Sequence, residues 1–141
     1  MAKDIEPESS PRSSPAQEPA DQATVSAAIE LFKVLDPQGY AITLDSERWQ
    51  HIVIGHPEMG PYLQKVQETI ASPEIIQRDA KRAETHYYYR LSGRSFQRRN
   101  DIYVNAVVTR YDATKTGFIK TAFLVPTIRK HGEDYVWLNR K

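Results

Sequence analysis

The chain has 141 residues, a length typical of one domain with its own hydrophobic core, and its 19 basic and 18 acidic side chains nearly balance. It has no cysteine, which excludes thiol nucleophiles, zinc-thiolate sites and a disulfide framework and is compatible with a reducing cytoplasm. Because no apolar run approaches the roughly 20 residues of a membrane span, we expect a cytoplasmic protein with no membrane partner.

The first 23 residues differ in composition from the rest of the chain. They contain four prolines among Ser, Glu, Ala and Gln, and two basic against five acidic side chains. Such a segment cannot offset its ordering entropy by burying apolar surface, so we predict a disordered Pro-, Ser- and Glu-rich leader over residues 1–23. We predict that residues 24–141 form a single domain with a small surplus of positive charge, which suits a polyanionic partner but also occurs on many proteins that bind no nucleic acid.

Two apolar runs open the domain, separated by the turn signal of residues 36–39. The runs cover residues 29–35 and 40–44, and they could pair as a hairpin. Residues 24–33 also fit the spacing of a short helix, so the sequence leaves both structures open.

Two short helices are predicted next. Asp45 suits the N-cap of the first helix, and Gly55 with the following His-Pro pair ends it. Its inward face is formed by Trp49, Ile52 and Val53. Pro61 suits the first turn of a second helix, which closes before Ser72.

The remainder consists of strand-forming segments rich in Tyr, Val, Ile and Thr and separated by turn signals. These segments are residues 74–77, 85–91, 101–111, 117–125 and 135–138. Helices followed by closely linked strands are typical of an α+β fold. We therefore predict two short helices packed on one face of a mostly antiparallel sheet.

The densest polar cluster lies around the end of the first helix, where His51, His56 and Glu58 fall within eight residues. A metal site is not predicted, because ideal helix geometry turns His51 and His56 about 140° apart. Histidine can give or take a proton at neutral pH, which favours an acid-base pair. The alternative is that His51 is a solvated helix residue and that His56 caps the helix end.

A second cluster is cationic and aromatic. It extends from Arg78 to Arg99, and its candidate RNA-binding residues are Tyr87, Tyr89, Arg90, Arg94, Arg98 and Arg99. Arginine binds phosphate through paired hydrogen bonds and tyrosine stacks on unpaired bases, so this combination suits single-stranded RNA. The alternative is a core strand beside a solvated basic loop.

Lys120 and Thr121 lie in the apolar strand segment 117–125. Strand alternation puts neighbouring side chains on opposite faces, so these two share a site only if a bulge intervenes. An unpaired lysine is costly to bury in such a strand, which favours a role with an anion.

The order of these motifs resembles that of the phage-associated nuclease-like domains, which are grouped with barnase, EndoU, the colicin E5 and colicin D toxins and RelE. The resemblance covers about residues 40–125 and includes the Trp-His helix, the following His-Pro-Glu and the late Lys-Thr-Ala-Phe strand. It implies a metal-independent endoribonuclease without a cofactor, whose α+β fold has two short helices on one face of a four-stranded, mostly antiparallel sheet. His51, His56, Lys120 and Thr121 match the motif positions, and Arg90 and Arg94 match more loosely.

The resulting hypothesis is RNA cleavage by attack of the ribose 2′-OH on its own phosphate. His56 accepts the 2′ proton, while His51 or Glu58 protonates the leaving 5′ oxygen, or the two roles are reversed. Lys120 with Arg90 stabilises the phosphorane, and Thr121 orients a phosphate oxygen. RNA is the expected partner, and an inhibitory or antitoxin-like protein is a second candidate. The alternatives are a non-catalytic RNA-binding module and a protein that acts through protein contacts alone.

Overall fold

The computed structural model describes residues 28–95, 100–132 and 135–139, so the predicted leader lies outside the described residues. The elements in chain order are β1 (Glu30–Leu35), β2 (Ala41–Asp45), α1 (Ser46–Gly55), a 3₁₀ helix (Pro57–Tyr62), α2 (Leu63–Ala71), β3 (Ile75–Arg78), β4 (Thr85–Ser95), β5 (Asn100–Tyr111), β6 (Thr116–Val125) and β7 (Tyr135–Leu138).

The first two apolar runs form an antiparallel hairpin rather than a helix, since β1 pairs with β2 from Leu35 and Ala41 outward. The turn is stabilised by Asp36, whose Oδ1 accepts hydrogen bonds from the backbone N–H groups of Gln38 and Tyr40, both at 2.9 Å. Gly39 has a φ of 88°, a left-handed conformation that glycine adopts without steric cost.

The two predicted helices are present. Asp45 caps α1, because its Oδ1 accepts a hydrogen bond from Arg48 N at 2.8 Å. The second helical region begins earlier than predicted, at Pro57, as a 3₁₀ helix that continues into α2. The α-helices have 10 and 9 residues, so neither of those described is long enough to cross a membrane.

The prediction of a four-stranded sheet is wrong. All seven strands form one mixed sheet in the order β1-β2-β6-β5-β4-β3-β7. The hairpin joins the sheet through a parallel ladder, in which residues 41–43 of β2 pair with residues 116–118 of β6. At the other edge, β7 pairs antiparallel with β3. These additional strands satisfy backbone donors and acceptors that would otherwise remain unpaired at the edges of β6 and β3.

The hydrophobic core lies between the helices and one face of the sheet. Alternate residues of the central strands supply the sheet side, including Tyr88, Ala106 and Ala122, and Ile52 and Val66 supply part of the helix side. The residues that alternate with these along the same strands form the other face of the sheet, which carries most of the candidate site.

Candidate active site

The sheet face away from the helices is here called the outer face. Residues that lie opposite each other on neighbouring strands share a face. One row across β4, β5 and β6 consists of Tyr87, Val107 and Thr121, and the next consists of Tyr89, Asn105 and Phe123. Two of the predicted tyrosines therefore lie on the same face as Thr121.

His56 reaches this face from the end of α1. Its backbone N–H donates to Ile52 O at 2.7 Å, which fixes the residue at the helix C-cap. Its ring stacks on Phe123 with 5.2 Å between centroids and 27° between planes. Its Nδ1 lies 3.7 Å from Oε2 of Glu58, and the two side chains are 39% and 46% exposed. His56 and Glu58 thus form an accessible pair beside β6.

Lys120 occupies a β-bulge. Val107 of β5 opposes Thr121 and the next residue, Val108, opposes Ile119, so Lys120 is the extra residue of β6. A bulge interrupts the alternation of side chains along a strand, which is the condition for Lys120 and Thr121 to share a site. Lys120 is exposed and Thr121 is half-buried, so the expected cost of burying the lysine does not arise.

His51 lies on the exposed side of α1, next to the core residue Ile52. The geometry thus places His56, Glu58 and the Phe123 side of β6 together, and leaves His51 on the solvent side of its helix.

The two predicted tyrosines are covered by a histidine that the sequence analysis did not single out. The ring of His131 stacks on Tyr87, with 3.6 Å between centroids and 13° between planes. Its Nε2 makes a short hydrogen bond with the hydroxyl of Tyr89, a residue that is 0% exposed. In this conformation an imidazole lies where the sequence predicts a stacked base.

Burial sets the electrostatics of this group. Burial and the hydrogen bond to Asp79, 2.8 Å long, raise the pKa of Tyr87 to about 12. Burial also raises the pKa of Tyr89. The pKa of His131 is lowered by burial, with Asp79 opposing the shift and Arg129 reinforcing it. Both phenols therefore stay protonated at neutral pH, and His131 favours its uncharged form.

Of the predicted arginines, Arg90 lies on the helix side of the sheet and not on the outer face. Arg90 lies opposite Val104, a residue of the core on the helix side, and its Nη1 donates to Ser72 O at 2.7 Å. It lines an open groove of about 600 Å³ together with Glu74 and other residues. Arg94 is exposed near the end of β4, and Arg98 and Arg99 lie outside the described residues.

Asn105 is a residue of this site that a signal in the sequence could have identified. It is a polar residue within the apolar run of β5, and it is 1% exposed. Its Nδ2 donates to the Tyr89 hydroxyl at 3.2 Å. A buried polar residue of this kind has a specific partner more often than not. His131 has no comparable local signal.

The described residues contain no group of three or more histidine and carboxylate side chains that could hold a metal ion. Fold and site together define a small α+β domain with a histidine-carboxylate pair and a bulged lysine beside an aromatic sheet face. No family model, curated protein or solved structure matches the chain.

Proposed function

We propose that this protein is a cytoplasmic, metal-independent endoribonuclease that cleaves RNA by transesterification at the 2′-OH. The observation that supports it best is the stacking of His56 on Phe123 of β6, with Glu58 beside it and the Lys120 bulge on the same strand. An accessible proton-transfer group, a carboxylate and a cation are the groups that this reaction needs.

In the proposed reaction His56 accepts the proton of the ribose 2′-OH, and the 2′ oxygen then forms a bond to phosphorus. The bond from phosphorus to the 5′ oxygen breaks, and that oxygen takes up a proton from an acid, either the carboxylic acid form of Glu58 or the imidazolium form of His51. The products are a 2′,3′-cyclic phosphate and a free 5′-OH, so no other reactant is needed. Lys120 stabilises the negative charge of the phosphorane, and Thr121 donates a hydrogen bond to a phosphate oxygen.

The test is incubation of the purified chain with mixed RNA in the presence of EDTA. We expect products that end in 2′,3′-cyclic phosphate. His56→Ala and Lys120→Gln should each lower the rate by about 10²- to 10⁴-fold, as is typical for a lost proton-transfer group or transition-state charge.

The matched control is Lys65→Gln, which removes an exposed cation of α2. It should leave the cleavage rate unchanged. The proposal would be wrong if His56→Ala cleaved RNA at the rate of the unaltered protein, or if the unaltered protein produced no cyclic phosphate ends.

A non-catalytic RNA-binding module is the second candidate function. It is favoured by the separation of the two predicted proton-transfer histidines, since His51 lies on the exposed side of α1 whereas His56 stacks on Phe123 of β6. Retention of intact RNA in a gel-shift assay, without cleavage products, would support this alternative.

A further inference from the structure

The segment of residues 126–132, which links β6 to the region before β7, is held on the outer face by backbone hydrogen bonds. The side chain of Gln77, 1% exposed, makes two of them: its Nε2 donates to Arg129 O at 2.7 Å and its Oε1 accepts from His131 N at 2.8 Å. Ala80 N donates to His131 O at 3.1 Å. The backbone of His131 is therefore fixed on both sides.

Gly132 explains why the segment can lie so close to β3. A Cβ atom at this position would stand 2.6 Å from Arg78 O, closer than side-chain carbons approach backbone oxygens. The glycine thus permits the approach that places His131 on the sheet.

The ring of His131 is fixed as firmly as its backbone. Asn105 Nδ2 donates to the Tyr89 hydroxyl at 3.2 Å, so the phenolic hydrogen is directed to Nε2 of His131. When Nε2 accepts this hydrogen bond, the neutral imidazole carries its proton on Nδ1. Because Nε2 is engaged by the buried Tyr89, Nδ1 is the nitrogen through which the half-buried ring can donate to a ligand.

We infer that His131 binds a phosphate oxygen of an RNA strand through Nδ1–H, with Tyr89 and Asn105 holding the ring in the donating tautomer. This inference rests on the proposed function, and it adds a second phosphate to the site. A fixed neutral donor costs no reorganisation when the anion arrives. The charged groups around it are Asp79, whose carboxylate binds the Tyr87 hydroxyl, and Arg129 of the same segment.

The spacing of the strands separates this phosphate from the reacting one. His131 stacks on residues of β4 and His56 on a residue of β6. These strands are two interstrand spacings apart, roughly 10 Å. We therefore assign the scissile phosphate to His56 and a flanking phosphate of the same RNA strand, which crosses β5, to His131.

Two substitutions of His131 distinguish the contribution of its Nδ1–H donor from that of Nε2. His131→Asn places an amide N–H near the position of Nδ1, whereas His131→Gln places its amide near Nε2, where it can still bind Tyr89. We expect His131→Gln to lower kcat/KM on a tetranucleotide by about 10- to 100-fold, the usual effect of losing a hydrogen bond to a charged group. His131→Asn should retain most of the activity, and the loss should appear in KM rather than in kcat.

Substrate length provides the second readout. A dinucleoside monophosphate contains only the scissile phosphate, so the effect of His131→Gln should be much smaller on it than on the tetranucleotide. Equal losses on both substrates would overturn the inference, and so would equal losses for the Asn and Gln variants. Thermal melting of each variant identifies a loss that is due to unfolding.

Nuclear magnetic resonance of the histidine rings separates this inference from the proposed function. The ¹⁵N shifts should show the Nδ1–H tautomer of His131, and a 2′-O-methyl tetranucleotide, which cannot be cleaved, should shift the Nδ1 resonance. If the protein binds this oligonucleotide at His131 but cleaves no RNA, the proposed function fails and the phosphate contact stands. A ring protonated on Nε2, or a shift with inorganic phosphate alone and none with the oligonucleotide, would overturn the inference.

Discussion

The fold strongly shifts the pKa of His86, a histidine of β4. This residue is 3% exposed, and its Nδ1 lies 3.2 Å from Glu84 O. Burial, reinforced by the positive charge of Arg110, lowers its pKa from 6.5 to about 4. The ring is therefore uncharged in the folded protein at neutral pH, and it is a structural residue rather than a proton-transfer group of the outer face.

This shift predicts a pH dependence of stability. Between pH 6.5 and 4 the unfolded chain binds a proton at His86 that the folded protein does not, so the free energy of unfolding falls as the pH is lowered through this window. The full change is about 3 kcal/mol, because each pKa unit corresponds to about 1.4 kcal/mol. Burial lowers the pKa of His131 as well, which acts in the same direction.

Urea unfolding at several pH values measures this effect. His86→Gln removes the titrating group and should make the dependence between pH 6.5 and 4 shallower than in the unaltered protein. If the two proteins showed the same slope, His86 would be protonated in the folded state and its burial would not control its charge.

At the scale of single elements, α1 contributes both to the core and to the candidate site. Its buried side packs on the sheet, and His56 lies at its C-terminal end. Trp49 packs against the core while remaining partly exposed, and Ile52 is 2% exposed. Trp49→Ala should destabilise the protein by about 3 kcal/mol, near the lower end of the range for such truncations because burial is incomplete.

Ile54 provides the control for that prediction, as it lies on the same helix and is 72% exposed. Ile54→Ala should change the free energy of unfolding by about 0.5 kcal/mol or less in the same urea experiments. Equal costs at the two positions would show that the inward face of α1 has been assigned incorrectly.

The elements that the sequence predicted are those determined by local interactions. The N-cap of Asp45 and the apolar spacing of α1 lie within about one helical turn of the residues that they organise. The order of the strands is different, because the parallel ladder of β2 and β6 joins residues more than 70 positions apart. No local pattern encodes such a partner, and the four strands that the resemblance implies leave out the strands that these long-range contacts add to the sheet.

The same distinction applies to the candidate site. His56 and Glu58 are close in sequence and therefore close in space. The bulge at Lys120 depends on the register between β5 and β6, and the stacking of His131 on Tyr87 joins residues 44 positions apart in sequence. Both are consequences of tertiary structure, and neither is visible in the residues around them.

At the scale of the whole molecule, the hairpin of β1 and β2 is joined to the rest of the sheet by few backbone contacts. The ladder of β2 with β6 includes three residue pairs. A buried polar network adds to it: Arg110 Nη1 of β5 donates to Gln38 Oε1 at 2.7 Å and lies 3.4 Å from Asp36 Oδ2. The Tyr88 hydroxyl of β4 makes a short hydrogen bond to the same carboxylate.

The side chains of Arg110 and Asp36 are 5% and 0% exposed, so this ion pair is removed from solvent. The guanidinium carbon of Arg110 also lies 3.9 Å from the ring centroid of Tyr40, the residue that begins the second run of the hairpin. The network therefore links the hairpin turn to the two central strands, and the docking of the hairpin depends on it.

Asp36→Asn tests this dependence, because it preserves the shape of the side chain and removes its charge. The positive charge of Arg110 would then be buried without compensation, and breaking a buried pair in this way costs about 3–5 kcal/mol. Urea unfolding should show a loss of this size.

The control is Glu68→Gln, which breaks the exposed pair with Lys65, 4.0 Å apart, and should cost less than about 1 kcal/mol. The double substitution Asp36→Asn with Arg110→Met removes both charges and should recover part of the loss. If Asp36→Asn were no more destabilising than Glu68→Gln, the parallel ladder alone would hold the hairpin on the sheet.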